Sequence, residues 1–141
     1  MSPLDELIRQ WLEKANDDLR LADMALHAQP PVIWAGAFHA QQAAEKLLKA
    51  LLTAHRTEFQ KYHSLDYLLD LLVPAEPKAE DLRAAASTLT DYAVEARYPF
   101  PRRESTLAEA REAVEIARSI RQFVLGRLGA SHAFPGADAR G

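Results

Sequence analysis

The chain has 141 residues, which suits a single domain, and 48% hydrophobic content is enough to fill a core of that size. It contains no cysteine, which excludes disulfides and thiolate metal sites and fits a reducing compartment, here expected to be the cytoplasm. A net charge of −3 and a pI near 5.9 are the reverse of a generic nucleic-acid binder, so any RNA or nucleotide contact must come from a local basic patch.

The first predicted helix opens at Ser2-Pro3-Leu4-Asp5, with Ser2 as N-cap, Pro3 at the first helical position and Asp5 three residues after the cap. Leu4, Leu7, Ile8, Trp11, Leu12, Ala15, Leu19, Ala22 and Leu26 recur at helical spacing and carry it to about His27. Asp17, Asp18, Arg20 and Asp23 punctuate it and read as a solvated face; the alternative is that Asp17 or Asp18 pairs with a site arginine on another helix. Nothing near Met1 has a basic region followed by an apolar run, so no signal peptide is expected, and no apolar run is long enough to cross a bilayer.

Pro30-Pro31 ends that helix and prepares the second, expected from about Val32 to His55. Ala37, Ala40, Ala43, Ala44, Leu47, Leu48, Ala50, Leu51 and Leu52 fill a wide apolar arc, which places this helix centrally in a bundle. Gln41 falls inside the arc and must find hydrogen-bond partners there, as a link between helices or as part of a site. His39, Gln42, Glu45, Lys46 and Lys49 form the opposite stripe, by default a solvated face with Glu45 and Lys49 as an ordinary i,i+4 pair.

Residues 56–62 are polar and aperiodic and read as a loop. Ser64 caps a short third helix with Asp66 at its positive end; Leu65, Leu68, Leu69 and Leu72 bury one face, and Pro74 and Pro77 close it. A fourth helix begins near residues 78–80 and must stop by Tyr98, because Pro99 disfavours helical geometry before it. Thr106-Leu107-Ala108-Glu109 is a capping box that starts a fifth helix, with Gly126 and Gly129 at its fraying end. The expected architecture is all-α, an up-and-down bundle of about five helices over residues 1–128, followed by a disordered tail over 129–141.

The strongest chemical signal is Arg97-Tyr98-Pro99. An arginine at a helix end beside a stiff loop can bind phosphate bidentately, Tyr98 can stack on a base, and Arg102 and Arg103 add positive charge. Read structurally, Arg97 would instead cap the last carbonyls of its helix or pair with a carboxylate. There is no glycine-rich phosphate loop, no GxSxG, no HxxxH or HExxH pair, and nothing that implies a metal or cofactor.

Three pieces in order resemble the HEPN domain family: residues 37–52 (Ala37-Phe38-His39-Ala40-Gln41-Gln42-Ala43-Ala44-Glu45-Lys46 and onward), His63-Ser64-Leu65 leading to Leu68-Leu69, and Tyr92 with Arg97-Tyr98-Pro99. The resemblance covers roughly residues 7–128 and implies an all-helical domain linked to nucleotides and RNA. It also implies a homodimer with sites in the groove between subunits, which could gather His39, Lys46, Lys49 and Arg97 from two chains. Many members work beside a small nucleotidyltransferase, and many are metal-independent ribonucleases in which an arginine is followed four to six residues later by a histidine. Arg97 stands at the arginine's place, but the next histidine downstream is His132, which counts against cleavage. Arg56 and His63 meet the spacing in the wrong part of the chain and read as a chance match. The reading is a nucleotide- or RNA-binding module with a nucleotidyltransferase partner; the alternatives are a ribonuclease toxin of a two-gene system and a purely structural dimer.

Overall fold

A computed structural model describes residues 2–61, 64–97 and 105–131. Five α-helices follow in order: α1 (Pro3–His27), α2 (Ile33–Ala54), α3 (Leu65–Leu72), α4 (Arg83–Arg97) and α5 (Leu107–Ser131), with a 3-10 helix over Pro77–Leu82 leading into α4. The described residues contain no strand.

The caps read from sequence form as expected. The Ser2 hydroxyl accepts from the Asp5 amide at 3.1 Å and the Asp5 carboxylate accepts from the Ser2 amide at 3.3 Å, which satisfies two orphan donors at the start of α1. Thr106 and Glu109 repeat the arrangement at α5, at 3.1 and 3.0 Å, and the Ser64 hydroxyl accepts from the Tyr67 amide at 3.2 Å to start α3. The end of α2 is closed by a Schellman pair: the Arg56 amide donates to the Thr53 carbonyl and the Thr57 amide to the Leu52 carbonyl, both at 3.0 Å. Arg56 therefore sits in the left-handed region, at φ 56°.

The helical period dictates the packing. Fourteen of the 22 residues of α2 are buried, so it must touch neighbours on several sides. It packs most extensively against α1, then α5 and α4, and Leu47, Leu48, Leu51 and Leu52 are fully enclosed between them. Small residues let the helices close in: a Cβ on Gly36 would lie 2.4 Å from Leu26 Cδ2, so this glycine makes room for the last turn of α1. Cross-helix bonds fix the directions. Asn16 and Asp23 of α1 meet Arg121 and Arg118 of α5 in reverse order, and Tyr92 near the end of α4 meets Glu112 near the start of α5, so α1 and α4 run opposite to α2 and α5.

Two boundaries differ from expectation. The fourth helix starts as a 3-10 turn, in which the Ala79 amide donates to the Glu76 carbonyl at 2.9 Å and buries both residues, and α-geometry begins only at Arg83. The last helix does not fray at Gly126 but runs through both glycines to Ser131. Residues 132–141, the rest of the expected tail, lie outside the described residues, as do Tyr62 and His63.

Ionic contacts fasten the end of the bundle away from Arg97. Glu76, 3% exposed, accepts from Arg127 Nε of α5 at 2.6 Å, and its other oxygen lies 2.7 Å from His55 Nε2 just beyond α2. On the outside, Arg83 contacts Glu80, Asp66 and Asp70, and these carboxylates raise its pKa far above the ordinary arginine value. The same contact holds the Glu80 carboxyl below its usual range.

Candidate functional site

The predicted site residues fall into two groups, and the structure treats them differently. Arg97 is the last residue of α4, and α5 opens behind the Thr106 cap. The Tyr92 hydroxyl donates to Glu112 Oε2 at 2.6 Å, so the last turns of α4 are tied to the first of α5. The segment that joins them carries Tyr98, Arg102 and Arg103. These three residues and the Arg97 side chain lie outside the described residues, so the structure fixes only the two helix ends between which they must act.

The second group, on α2, is not the solvated stripe expected from the helical wheel. His39, Gln42, Glu45, Lys46 and Lys49 recur at the three-and-four spacing of a packing seam, and α1 lies along it. Asp18 of α1 reaches across, is 7% exposed, and takes both His39 and Lys46: its Oδ1 lies 2.9 Å from His39 Nδ1, and its Oδ2 accepts from Lys46 Nζ. A carboxylate already paired with a lysine only accepts, so His39 Nδ1 is the donor in this contact. Farther along, Glu45 and Lys49 are 2% and 6% exposed, and Lys49 Nζ donates to Glu45 Oε2 at 2.9 Å. The same ammonium lies 5.5 Å from the Trp11 ring centroid and 5.6 Å from that of Phe59. The pair is therefore enclosed by aromatic faces rather than screened by water.

Of the α2 candidates, then, Lys46 and His39 share one carboxylate and Lys49 is buried with another. Neither lysine presents an uncompensated charge in this arrangement. Sequence reading assigns Asp18 to a solvated face by default, yet the signal for its burial is present. Asp18 falls with Trp11, Ala15, Leu19 and Ala22 on one face of α1, so a carboxylate there had to meet a cation on the facing helix. The partner is a histidine and a lysine, not the arginine considered.

Gln41 behaves as its position in the apolar arc demands. It is 9% exposed, and the Thr90 hydroxyl of α4 donates to its Oε1 at 3.3 Å, a polar link between helices. Arg56, half of the chance arginine–histidine match, serves the backbone as the left-handed residue of the α2 cap. Among the described residues, no three His, Asp or Glu side chains cluster as a metal site would require, and no helix is long and apolar enough to cross a membrane.

A four-helix up-and-down frame with a short third helix, a polar seam on its central helix and a basic segment between its last two helices defines a small class of all-α domains. The HEPN domain profile matches residues 8–128, and the chain belongs to that family. Among solved structures it is similar to TT1696 from Thermus thermophilus, with 36% identity over 83% of this chain and 94% of that one and a TM-score of 0.67. No curated protein matches it at a significant level.

Proposed function

We propose that the protein is a HEPN-type nucleotide- or RNA-binding module that acts in the cytoplasm as a homodimer beside a nucleotidyltransferase. The observation that supports this reading is the distribution of positive charge. The cations of the α2 stripe are matched by Asp18 and Glu45, whereas Arg97, Arg102 and Arg103 gather in seven residues between two fixed helix ends. In a chain of net charge −3, that segment is where a phosphate meets a local excess of guanidinium. Tyr98 and Phe100 within it supply flat faces for a base.

Arg97 carries the test. Arg97→Ala is expected to weaken RNA or nucleotide binding by about 1.5–3 kcal/mol without lowering the melting temperature, since a charged hydrogen bond to phosphate is lost. Arg97→Lys restores only part of it, because lysine lacks the planar fork. Binding by the parent chain should fall with salt as counterions are released. A lower melting temperature with undiminished binding would make Arg97 a structural cap and end this reading. Co-purification from the native host identifies the nucleotidyltransferase, and its absence from every preparation removes that partner. A ribonuclease role would require cleavage in chelator that disappears with Arg97→Ala; none is expected, because His132 is the first histidine after Arg97.

A further inference from the structure

The register of α2 against α4 brings one more ring to the end of the bundle where Arg97 stands. The two helices pack antiparallel, and Gln41 and Thr90 meet across their seam, with the Thr90 hydroxyl 3.3 Å from Gln41 Oε1. Trp34 lies two helical turns before Gln41, and Arg97 lies two turns after Thr90. Two turns span about 10 Å and return each chain to nearly the face it left. Positions 34 and 97 are therefore level with each other on facing sides of one seam. By the same count, Phe38 and Val94 stand between them and the Gln41–Thr90 contact.

Trp34 is 50% exposed, although it is the largest apolar side chain on α2. Its ring centroid is 6.4 Å from that of Phe38, with the planes 52° apart, and Phe38 in turn meets the His39 ring edge-on at 5.2 Å. These contacts steady the indole while half of the residue stays open to water. A ring held in that way gains free energy when a second flat surface covers it. The electrostatics at this end favour an anion. α2 begins at Val32 without a side-chain cap and has no acidic residue in its first turn, so no side-chain charge offsets the positive end of its dipole. Arg97 adds a full positive charge at the same level.

We propose that Trp34 is a stacking platform for an unpaired nucleobase whose phosphate is held by Arg97. The inference rests on the phosphate reading of Arg97 given above and adds the class of ligand: a single strand or a free nucleotide, not duplex RNA. Any base can lie on an indole through its π-face, and a base enclosed in a duplex cannot reach one. A half-open ring level with an arginine supplies partners for both halves of a nucleotide. In the proposed homodimer this ring lines the groove between subunits, beside the subunit contact and not in its sealed centre.

The full chain is titrated with a short oligoadenylate, an abasic strand with the same number of phosphates, the oligoadenylate in a duplex, and AMP. The single strand is expected to bind about tenfold more tightly than the abasic strand or the duplex. Trp34→Ala should weaken oligoadenylate binding about tenfold and leave the abasic strand unaffected, Trp34→Phe should keep most of the affinity, and Arg97→Ala should weaken both strands. Indole emission should change with oligoadenylate but not with the abasic strand, and the change should vanish in Trp34→Phe. AMP binding within about tenfold of the strand identifies a free nucleotide as sufficient, and saturation by the strand alone identifies single-stranded RNA. If Arg97→Ala loses affinity and Trp34→Ala does not, the platform is refuted while the phosphate reading stands. If no probe saturates, or Arg97→Ala binds like the parent, the phosphate reading fails and the platform with it. Equal binding of the abasic strand and oligoadenylate also overturns the proposal, as does a Trp34→Ala chain that light scattering shows to be monomeric where the parent is a dimer, since the ring would then be a subunit contact.

Discussion

Asp18 shows how a single carboxylate can decide the character of a helix face. It is buried at the α1–α2 interface and holds His39 and Lys46 together, so the cations of α2 are matched before any ligand arrives. Asp18→Asn keeps the shape but removes the charge, leaving Lys46 opposite a neutral amide. The expected loss is about 1.5–3 kcal/mol of stability, read from denaturant unfolding at neutral pH. Adding Lys46→Met should recover part of that loss, since the stranded ammonium is then gone. A loss that is the same with and without Lys46→Met would mean that the two side chains are not coupled. At this scale the sequence was half legible. Gln41 declared itself because an amide inside an apolar arc has to be satisfied. The lysines of the α2 stripe did not, because charge suggests solvent unless the facing helix is known to bring a carboxylate and two aromatic rings to meet it.

Among the elements, the helix ends were the most readable. Ser2, Ser64 and Thr106 were recognisable caps because short side chains followed by a carboxylate or an apolar run leave the backbone few other partners. The end of α2 was less readable, because its left-handed position is filled by Arg56 instead of glycine. A side chain there costs about 1–2 kcal/mol. Arg56→Gly should therefore stabilise the protein by about 1 kcal/mol, after allowing for the greater freedom of glycine in the unfolded chain; a lower melting temperature would contradict it. Gly36 makes the opposite case. Inside a helix a glycine normally weakens the element, but here, in the first turn of α2, Leu26 fills the space where a side chain would stand. Gly36→Ala should destabilise by about 1–3 kcal/mol through overpacking, and Leu26→Ala in the same chain should relieve some of that strain. Additive losses in the double variant would show that the two residues do not compete for one space. The 3-10 start before α4 was not legible, because a buried Glu76 is intelligible only once His55 and Arg127 are seen around it.

For the whole molecule, the all-α bundle was legible because a wide apolar arc on one helix demands neighbours on several sides. Assembly is less directly written. Trp34 is 50% exposed and Val94 48%, and the antiparallel run of α2 and α4 puts both toward the end of the bundle where α4 finishes. Large exposed apolar side chains at one end support the homodimer proposed above. Light scattering at micromolar concentration should give about twice 15.7 kDa, and a monomer there and at higher concentrations would refute it. The basic segment between α4 and α5 was legible as chemistry through Arg97, Tyr98, Arg102 and Arg103.

The central position of α2 also sets a schedule for synthesis. The helix leaves the ribosome complete at Ala54, and α1 can cover one side of it at once, yet its other side waits for α5 as far as Leu128. At ordinary translation speeds that interval lasts about 4–15 s. Throughout it, alanines and leucines that are later fully enclosed face the surrounding water, and Glu76, once made, waits for Arg127. The nascent chain is thus most in need of a protective chaperone after most of its core residues have been made, and the need ends only when its last helix arrives.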